Sequence, residues 1–379
     1  MSDDTTLMDS ERLIEQFLAL VHVDSPPTRE RKVMLLLAPQ LEALGFSVTF
    51  DQAGGAVGGD VGNLIATLSG NRPGARPIFF SAHVDTVAPT AGIRTIVADG
   101  VIRTDGSTIL GADDKAAVAA IVEAVRHVVT YDLPHGELQI LFSICEEIGL
   151  KGAAAMDYSL VAAEMGFVFD SGQPVSGVVI QSPTHDKIHA IVHGRKAHAG
   201  SAPEDGINAI QAAAAGIARM RLGRIDVETT ANVGTIQGGE ATNVIPDRVE
   251  LLAEARSRDD RKLERQVSKM IGAIEEGAAE YGARVEVETT RHYSGFHLSD
   301  DDPVVRMACD AIRSLSMQPK LLPSGGGSDA NVFNARGLPA VVLGVGYRNI
   351  HTHAESIAIE DLISTSRLVA ALIETAAGS

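Results

Sequence analysis

Hydrophobic residues recur along the chain with two different spacings, and these spacings predict its helices and strands. A four-residue spacing at Leu13, Phe17 and Val21 predicts a helix in "DSERLIEQFLALVHV", and "TRERKVMLLLAPQLEALG" predicts a second helix that ends at Gly45. Short apolar runs predict strands in "FSVTFD", "GNLIATLSG", "PIFFSAHVDT", "ELQILFSICE" and "GFVFDS". A helix in "DKAAVAAIVEAVRHVV" separates the third and fourth strands. This alternation predicts an α/β sheet covered on both faces.

A different order of elements begins at about Thr184. It reads as a strand in "DKIHAIVHGR", a helix in "EDGINAIQAAAAGIARM", strands in "TTANVGTIQGG" and "RVELLAEARS", a helix in "DRKLERQVSKMIGAIEEGAAEYG" and a strand in "ARVEVETTRH". The order βαββαβ is the ferredoxin-like arrangement. After Ser294 the α/β pattern returns, with a helix in "PVVRMACDAIRSL", a strand in "PAVVLGV" and a last helix from Ile359. We therefore predict one domain formed by residues 1–184 and 295–379, with residues 185–294 inserted as a second domain.

Composition narrows the class of protein. Of 379 residues, 45% are hydrophobic and 21% charged, and no apolar run approaches the roughly 20 residues that span a bilayer. The acidic opening "MSDDTTLMDSER" does not resemble a secretory signal, so we expect a cytoplasmic protein without a membrane partner. A net charge of -17 argues against nucleic acid as a partner. Two cysteines, Cys145 and Cys309, are too few for a disulfide framework or a thiolate metal site.

Polar residues follow several of the predicted strands. They occur in "SAHVDT", "LGADDKAA", "CEEIG" and "FVFDSG", and a further group lies near the C-terminus in "RNIHTHAES". The carboxyl ends of strands form the ligand crevice of an open α/β sheet, so these residues are expected to converge there. They are His83, Asp85, Asp113, Glu146, Glu147, Asp170 and His351. A pair of divalent metal ions would remove the repulsion between the carboxylates, and imidazole with carboxylate is a normal ligand set for zinc.

In two pairs within this group, the two residues are expected to have different roles. His83 and Asp85 share one face of a strand, so the histidine can bind metal while the aspartate holds its ring. Glu146 and Glu147 face opposite ways if the strand runs through both, so one can bind metal while the other takes a proton from a metal-bound water. Each stretch also has a simpler interpretation, with "ADD" as a helix N-cap, "EE" as a solvated strand end and "FD" as the start of a turn.

The motifs, taken together, resemble those of the M20 metallopeptidases, and most closely the peptidase T-like branch. The resemblance rests on H-x-D, G-A-D-D-K, E-E, an acid after an apolar strand and a C-terminal histidine, in that order. "GRKAHAGSAPEDGINAI" and "ATNVIPD" in the inserted segment are also typical of the family, so the resemblance covers nearly the whole chain. It implies a mixed-sheet zinc-peptidase catalytic domain, an inserted dimerisation domain and two divalent metal ions per chain. We expect zinc, with manganese or cobalt as alternatives.

The resemblance also implies a role for each residue. One metal would be held by His83, Asp113 and Asp170, and the other by Asp113, Glu147 and His351, so that Asp113 bridges them. Glu146 would be the general base and acid, and Asp85 the partner of His83. Asp114 is the alternative to Asp113, and His353 the alternative to His351. The family also has a cis peptide bond after the bridging aspartate.

Substrate contacts are expected from two further regions. By resemblance, His198 in the inserted domain would reach the active site of the partner in a homodimer and stabilise the oxyanion. Asn243, also in the inserted domain, is a candidate for substrate binding. The alternative is that "AHAG" simply closes a strand and Asn243 caps a turn. Gly325, Gly326 and Gly327 in "SGGGSDANVF" offer backbone N–H groups to a carboxylate or carbonyl group. This stretch also fits a relaxed G-x-G-x-x-A of nucleotide-binding proteins, but no acidic residue follows at the expected distance of about 20 residues.

We therefore expect a dinuclear metal hydrolase that releases the N-terminal residue of di- and tripeptides. The resemblance favours an aminopeptidase because Asp170 stands where a glutamate would otherwise be found. Alternatives are a carboxypeptidase or an N-acyl-amino-acid amidohydrolase on the same scaffold, and a non-catalytic metal- or nucleotide-binding protein in which Glu146 is idle. Ser324 replaces the arginine of strict tripeptidases, which leaves substrate length and terminal specificity open.

Overall fold

The structure, a computed structural model, describes residues 8–378. Most of the acidic opening segment, and the outer ends of the predicted first domain, lie outside that range. In the described chain the helices are α1 (Ser10–Val21), α2 (Arg31–Ala43), α3 (Ala53–Val57), α4 (Ala112–Thr130), α5 (Lys151–Ala154), α6 (Ala209–Arg219), α7 (Asp260–Glu280), α8 (Pro303–Ser314), α9 (Asp329–Ala335) and α10 (Ile359–Ala376). Within these residues, no helix is both long and apolar enough to cross a membrane.

The strands include every one predicted from the hydrophobic pattern and several short ones that it missed. They are β1 (Ser47–Phe50), β2 (Leu64–Leu68), β3 (Ile78–His83), β4 (Thr95–Ala98), β5 (Val101–Thr104), β6 (Leu138–Ser143), β7 (Met165–Phe169), β8 (Gly177–Ser182), β9 (Thr184–His193), β10 (Gly223–Arg224), β11 (Thr229–Gly238), β12 (Arg248–Ser257), β13 (Arg284–Tyr293), β14 (Phe296–His297), β15 (Lys320–Pro323), β16 (Ala340–Leu343) and β17 (Ser356–Ala358).

The main sheet is mixed, as predicted. Its order is β1-β2-β6-β3-β7-β16-β8-β14, with β15 paired to β8. The central strands β6, β3, β7 and β16 are parallel neighbours, whereas β1, β2 and β8 pair antiparallel with theirs. A small separate sheet has the order β17-β5-β4. Because the central strands are parallel, the segments that follow them start at one edge of the sheet.

Helix α4 is buried along most of its length. Every residue from Ala112 to Val125 is buried, and the helix contacts β3 on one side and α1 and α10 on the other. Six of the residues from Ala112 to Ala124 are alanines, which favour helix and take little space in a buried position. This burial fixes the first turn of α4, which carries Asp113, against the main sheet.

The inserted segment forms an antiparallel sheet with the order β10-β11-β12-β9-β13. Helices α6 and α7 cover one face, where Val192, Leu251 and Ile274 are buried together. A Cβ atom on Gly277 would lie 2.2 Å from the backbone nitrogen of Gly216, so α6 and α7 cross too closely for larger residues. The strand order is that of the predicted ferredoxin-like arrangement.

The chain divides into two compact units. The first contains the described residues up to Ile180, His297–Pro323 and those from Ser328 onward, and the second contains Gln181–Phe296 with Ser324–Gly327. The last segment departs from the predicted boundaries. It joins the second unit because Gly327 lies against the ring of Tyr293, where an added Cβ would be 2.3 Å from a ring carbon.

Candidate metal centre

Three of the predicted site segments begin where parallel strands end. His83 is the last residue of β3, β6 ends at Ser143, and Asp170 directly follows β7. Since β6, β3 and β7 are adjacent in the sheet, the three segments start side by side. The hydrophobic pattern therefore predicted correctly that these three segments start at the same edge of the sheet.

Ligand atoms of His83, Asp113 and Glu147 all lie within 4.8 Å of one another. The Nε2 atom of His83 is 3.3 Å from Oδ1 of Asp113, and Nε2 of His351 is 3.3 Å from Oδ2 of the same carboxylate. His351 Nε2 also lies 3.2 Å from Oε1 of Glu147. Asp113 thus has one imidazole at each oxygen, which is the arrangement that a bridging ligand requires.

The two open alternatives can be compared directly. Asp114 turns toward the backbone, because its Oδ2 accepts a hydrogen bond from the His83 N–H at 3.3 Å. The peptide bond between Asp113 and Asp114 is cis, as the resemblance implied. His351 and His353 are both exposed, but Nδ1 of His353 lies 3.0 Å from the carbonyl oxygen of Gly106, whereas Nε2 of His351 lies beside Asp113 and Glu147. The geometry favours Asp113 and His351 over these neighbours.

Asp170 lies outside the three-residue group but close to it. The hydroxyl of Tyr347 donates a hydrogen bond to its Oδ1 at 3.3 Å. Burial, opposed by the positive charge of His83, raises the pKa of Asp170 to about 8. Its carboxylate therefore faces the same interior as the other candidate ligands.

The segment after β6 differs from the prediction. The strand ends at Ser143, so it does not run through Glu146 and Glu147, which lie in a turn. Their amides donate to the two oxygens of Asp85, at 3.0 Å for Glu146 and 3.1 Å for Glu147. Nδ1 of His83 lies 2.9 Å from the Asp85 carbonyl oxygen and 3.6 Å from Oδ1. Asp85 therefore holds the imidazole mainly through its backbone and the glutamate turn through its carboxylate.

The residues of the site carry more acidic groups than basic ones. Burial raises the pKa of Glu146 well above its ordinary value, and the negative charge of Asp170 adds to this. Burial also acts to raise the pKa of Asp113, but hydrogen bonds from His351 and His83 outweigh it and hold that pKa well below the usual range. Several buried carboxylates share two imidazoles, so divalent cations fit this donor set in both charge and chemistry.

Three buried residues that support the site were not predicted. Glu355 is 1% exposed and accepts the amides of Leu110, Gly111 and Asp113 at 2.9, 2.7 and 2.9 Å, which orients the first turn of α4. Asp329 is buried, accepts a hydrogen bond from Ser143, and has its pKa raised to about 6 by burial. The third is Tyr347, which is buried and donates a hydrogen bond to Asp170. The sequence could have indicated Glu355 and Tyr347 as an acid and a phenol inside apolar stretches, "AESIAI" and "LGVGY".

The second unit brings His198 and Asn243 together. The Ala199 amide donates to the Asn243 carbonyl at 2.9 Å, and both predicted residues are exposed. Nδ1 of His198 accepts the amides of Gly200 and Ser201, each at 3.1 Å. A neutral ring with an accepting Nδ1 carries its proton on Nε2, where it is available to a substrate oxygen.

The glycine segment offers fewer amides than predicted. The Gly326 amide donates to Ser324 Oγ at 3.0 Å, so it is already occupied. The Ser328 amide likewise donates to Oδ1 of Asn331, within the capping box that starts α9. Gly325 and Gly327 remain the candidates for a substrate contact.

Comparison with known proteins places these features in a family. The sequence model of Peptidase family M20/M25/M40 matches residues 79–375. The aminopeptidase PepT of Bacillus cereus ATCC 10987 is 44% identical, with a TM-score of 0.87 over 98% of this chain and 99% of the other. A tripeptidase of Staphylococcus aureus subsp. aureus Mu50 is 38% identical, with a TM-score of 0.93 over 98% and 100%. YXEP of Bacillus subtilis, a dinuclear metal binding peptidase from the M20 family, shares the fold at 19% identity, with a TM-score of 0.71 over 97% and 99%.

Proposed function

The chain belongs to Peptidase family M20/M25/M40 and is a metallopeptidase, and we propose that it releases the N-terminal residue of di- and tripeptides. The observation that carries the proposal is the carboxylate of Asp113 between His83 and His351, with Glu147 beside it and Glu146 adjacent. An aminopeptidase and a tripeptidase are among the relatives of known structure, which supports the peptide substrate and the cleavage at the amino end.

Two divalent ions fit the residues present. His83, Asp113 and Asp170 would hold one ion, and Asp113, Glu147 and His351 the other. Zinc suits these imidazole and carboxylate donors, and manganese or cobalt are alternatives. When bound, the ions would polarise the peptide carbonyl and lower the pKa of water.

Glu146 supplies the proton transfer. The residue is 9% exposed, and burial raises the pKa of its carboxyl group, so it can take a proton from the attacking water and return it to the leaving amine. Asp85 holds the amides of both glutamates, which keeps the base fixed relative to the ligand that follows it.

The inserted unit would complete the site in a homodimer. We assign its His198, through the proton on Nε2, to the oxyanion of the partner chain's substrate. Asn243 would contact the substrate beside it, and Gly325 and Gly327 would meet its carboxylate or a carbonyl group. A cytoplasmic location is supported by two free cysteines, both buried.

A substrate panel tests the proposal. It compares di- and tripeptides with free and blocked termini and N-acyl amino acids, before and after chelation. We expect cleavage only with a free amino terminus, loss of activity on chelation, recovery with zinc, manganese or cobalt, and about two bound ions per chain by metal analysis. Cleavage at the carboxyl end would support the carboxypeptidase instead, and hydrolysis of N-acyl amino acids alone would support the amidohydrolase. The Glu146→Gln variant serves as the control against a contaminating peptidase.

A further inference from the structure

Four consecutive backbone amides hold the segment that carries the proposed base. After β6 ends, the amide of Ile144 donates to Asn63 Oδ1 at 3.1 Å and that of Cys145 donates to Glu30 Oε1 at 3.0 Å. The next two donate to Asp85, as described above. All three acceptors are buried and come from distant parts of the sequence.

The local sequence does not explain the conformation of this segment, residues 144–147. Cys145 has a φ of 52°, in the left-handed region that residues other than glycine rarely occupy. The segment is also buried beyond the end of its strand, so its amides need acceptors from elsewhere. The surrounding side chains therefore fix the direction in which Glu146 leaves the turn.

Glu30 is the least expected of these acceptors. It occupies the N-cap position of α2 but makes no capping hydrogen bond there. It is fully buried instead, and its Oε1 accepts from the Thr28 amide at 2.9 Å, the Cys145 amide at 3.0 Å and the Cys145 thiol at 3.3 Å. Burying a carboxylate is costly, and a cap exposed to solvent would avoid that cost.

Asn63 and Asp85 also contact other parts of the protein, and these contacts explain their presence. The Asn63 side chain also donates to Asp51 and to the Gly152 carbonyl, which ties α5 to the region of β2. Asp85 lies beside the His83 ring. The side-chain hydrogen bonds described for Glu30 come from Thr28 and Cys145, so its long-range hydrogen bonds are with the residue directly before Glu146.

We propose that Glu30 is a positioning residue, which sets the geometry of Glu146 and Glu147 by accepting both the amide and the thiol of Cys145. This inference rests on the proposed function, because it assumes that Glu146 moves the proton and Glu147 holds a metal ion. A displacement of about 1 Å at a reacting group can cost about 100-fold in rate. Loss of the acceptor should therefore lower kcat much more than it changes KM.

Two substitutions at Glu30 separate geometry from charge. Glu30→Ala removes the acceptor, and we expect kcat to fall about 10- to 100-fold with KM within about threefold. Glu30→Gln keeps an oxygen at Oε1 and places its amide nitrogen at Oε2, a buried atom without a hydrogen-bond partner among the described residues. We expect it to stay within about threefold of the parent kcat, because an amide oxygen still accepts the hydrogen bonds from the amide and the thiol of Cys145.

Gln139→Ala is the matched control for a purely structural effect. Gln139 lies in β6, is 1% exposed, and its Oε1 accepts the amides of Ala162 and Ala163 at 2.8 and 2.9 Å. Its loss leaves the amide of Ala163, which is buried, and that of Ala162, which is exposed, without their acceptor at the other end of the same strand. We expect lower thermal stability but a kcat within about twofold of the parent, since the turn after β6 is untouched.

Two further measurements do not depend on turnover. Amide hydrogen exchange across residues 144–147 should be faster in Glu30→Ala than in Gln139→Ala, and zinc binding to one of the two sites should weaken about tenfold. If Glu30→Ala does not fold, Glu30→Asp replaces it, because the shorter side chain withdraws the acceptor while keeping the charge.

The outcomes distinguish this inference from the proposed function. An active parent whose Glu30→Ala variant behaves like Gln139→Ala would overturn the positioning role and leave the function intact. A loss in Glu30→Gln as large as in Glu30→Ala would show that charge matters and would also overturn it. A parent that cleaves no peptide would overturn the proposed function, and faster exchange with weaker zinc binding in Glu30→Ala would then still support Glu30 as the residue that holds the turn.

Discussion

Glu146 and Glu147 should fail in different ways when each is replaced by glutamine. Glu146→Gln preserves size and the backbone bonds to Asp85 while removing the base, so both ions and the fold should be retained. Turnover should fall about 10²–10⁴-fold, which corresponds to about 2.7–5.4 kcal/mol of activation free energy. Glu147 Oε1 lies 3.2 Å from His351 within the candidate ligand group, so Glu147→Gln replaces an anionic ligand with a neutral amide. Residues that merely orient a ligand are worth 10–100-fold in metal affinity, so a direct ligand should be worth at least about 100-fold.

The assay measures bound metal and kcat for both variants over a range of added zinc. Glu147→Gln should bind about one ion at low zinc and regain part of its activity as zinc rises, whereas Glu146→Gln should stay inactive at every concentration. The reverse pattern would show that the two roles are exchanged. Near-full activity in both variants would refute the reasoning, because the pair would then be only a polar turn after β6.

Three further predictions follow from the same geometry. Mixing inactive His198→Ala and Glu146→Ala chains should restore activity in hybrid dimers, and no recovery after demonstrated subunit exchange would exclude action across the interface. Folding raises the pKa of Asp170 to about 8, through burial, and that of His351 to about 10, through hydrogen bonds to Asp113 and Glu147. Both groups bind protons more tightly when folded, so metal-free protein should lose stability as pH rises through these values, and zinc should raise Tm more at about pH 9 than at about pH 6. Burial raises the pKa of Cys145 to about 12 and also raises that of Cys309, so a thiol reagent should react with neither until the chain unfolds.

The candidate ligands could be predicted because parallel strands bring their carboxyl ends together. His83 and Asp170 stand at the ends of adjacent strands, so a strand prediction alone places them side by side. The preference for Asp113 over Asp114 and for His351 over His353 needed the family resemblance, since these residues lie at the start of a helix and in an irregular segment. The choice between Asp113 and Asp114 depended on backbone direction, which residue types alone do not fix.

Glu355 and Glu30 could not be predicted to hold the site, because their partners are mainly backbone amides. Every backbone amide is a hydrogen-bond donor. The sequence around Leu110, Gly111 and Asp113 therefore does not indicate that the carboxylate of Glu355 accepts hydrogen bonds from their amides. The same is true of Glu30 and the amide of Cys145. Such acceptors are needed where a strand has ended and the chain is still buried, and the predicted end of β6 was itself placed too late by several residues.

That error explains why Asp85 was assigned only half of its role. With the strand extended through Glu146 and Glu147, sheet pairing would occupy their amides, and the carboxylate of Asp85 would be left for His83 alone. With the strand ending at Ser143, the two amides need an acceptor, and both oxygens of Asp85 meet them while its carbonyl oxygen lies nearer the imidazole Nδ1. One residue thereby couples the orientation of a proposed ligand to that of the proposed base. Substitution of Asp85 should consequently impair metal binding and proton transfer together, whereas Glu146→Gln impairs proton transfer alone.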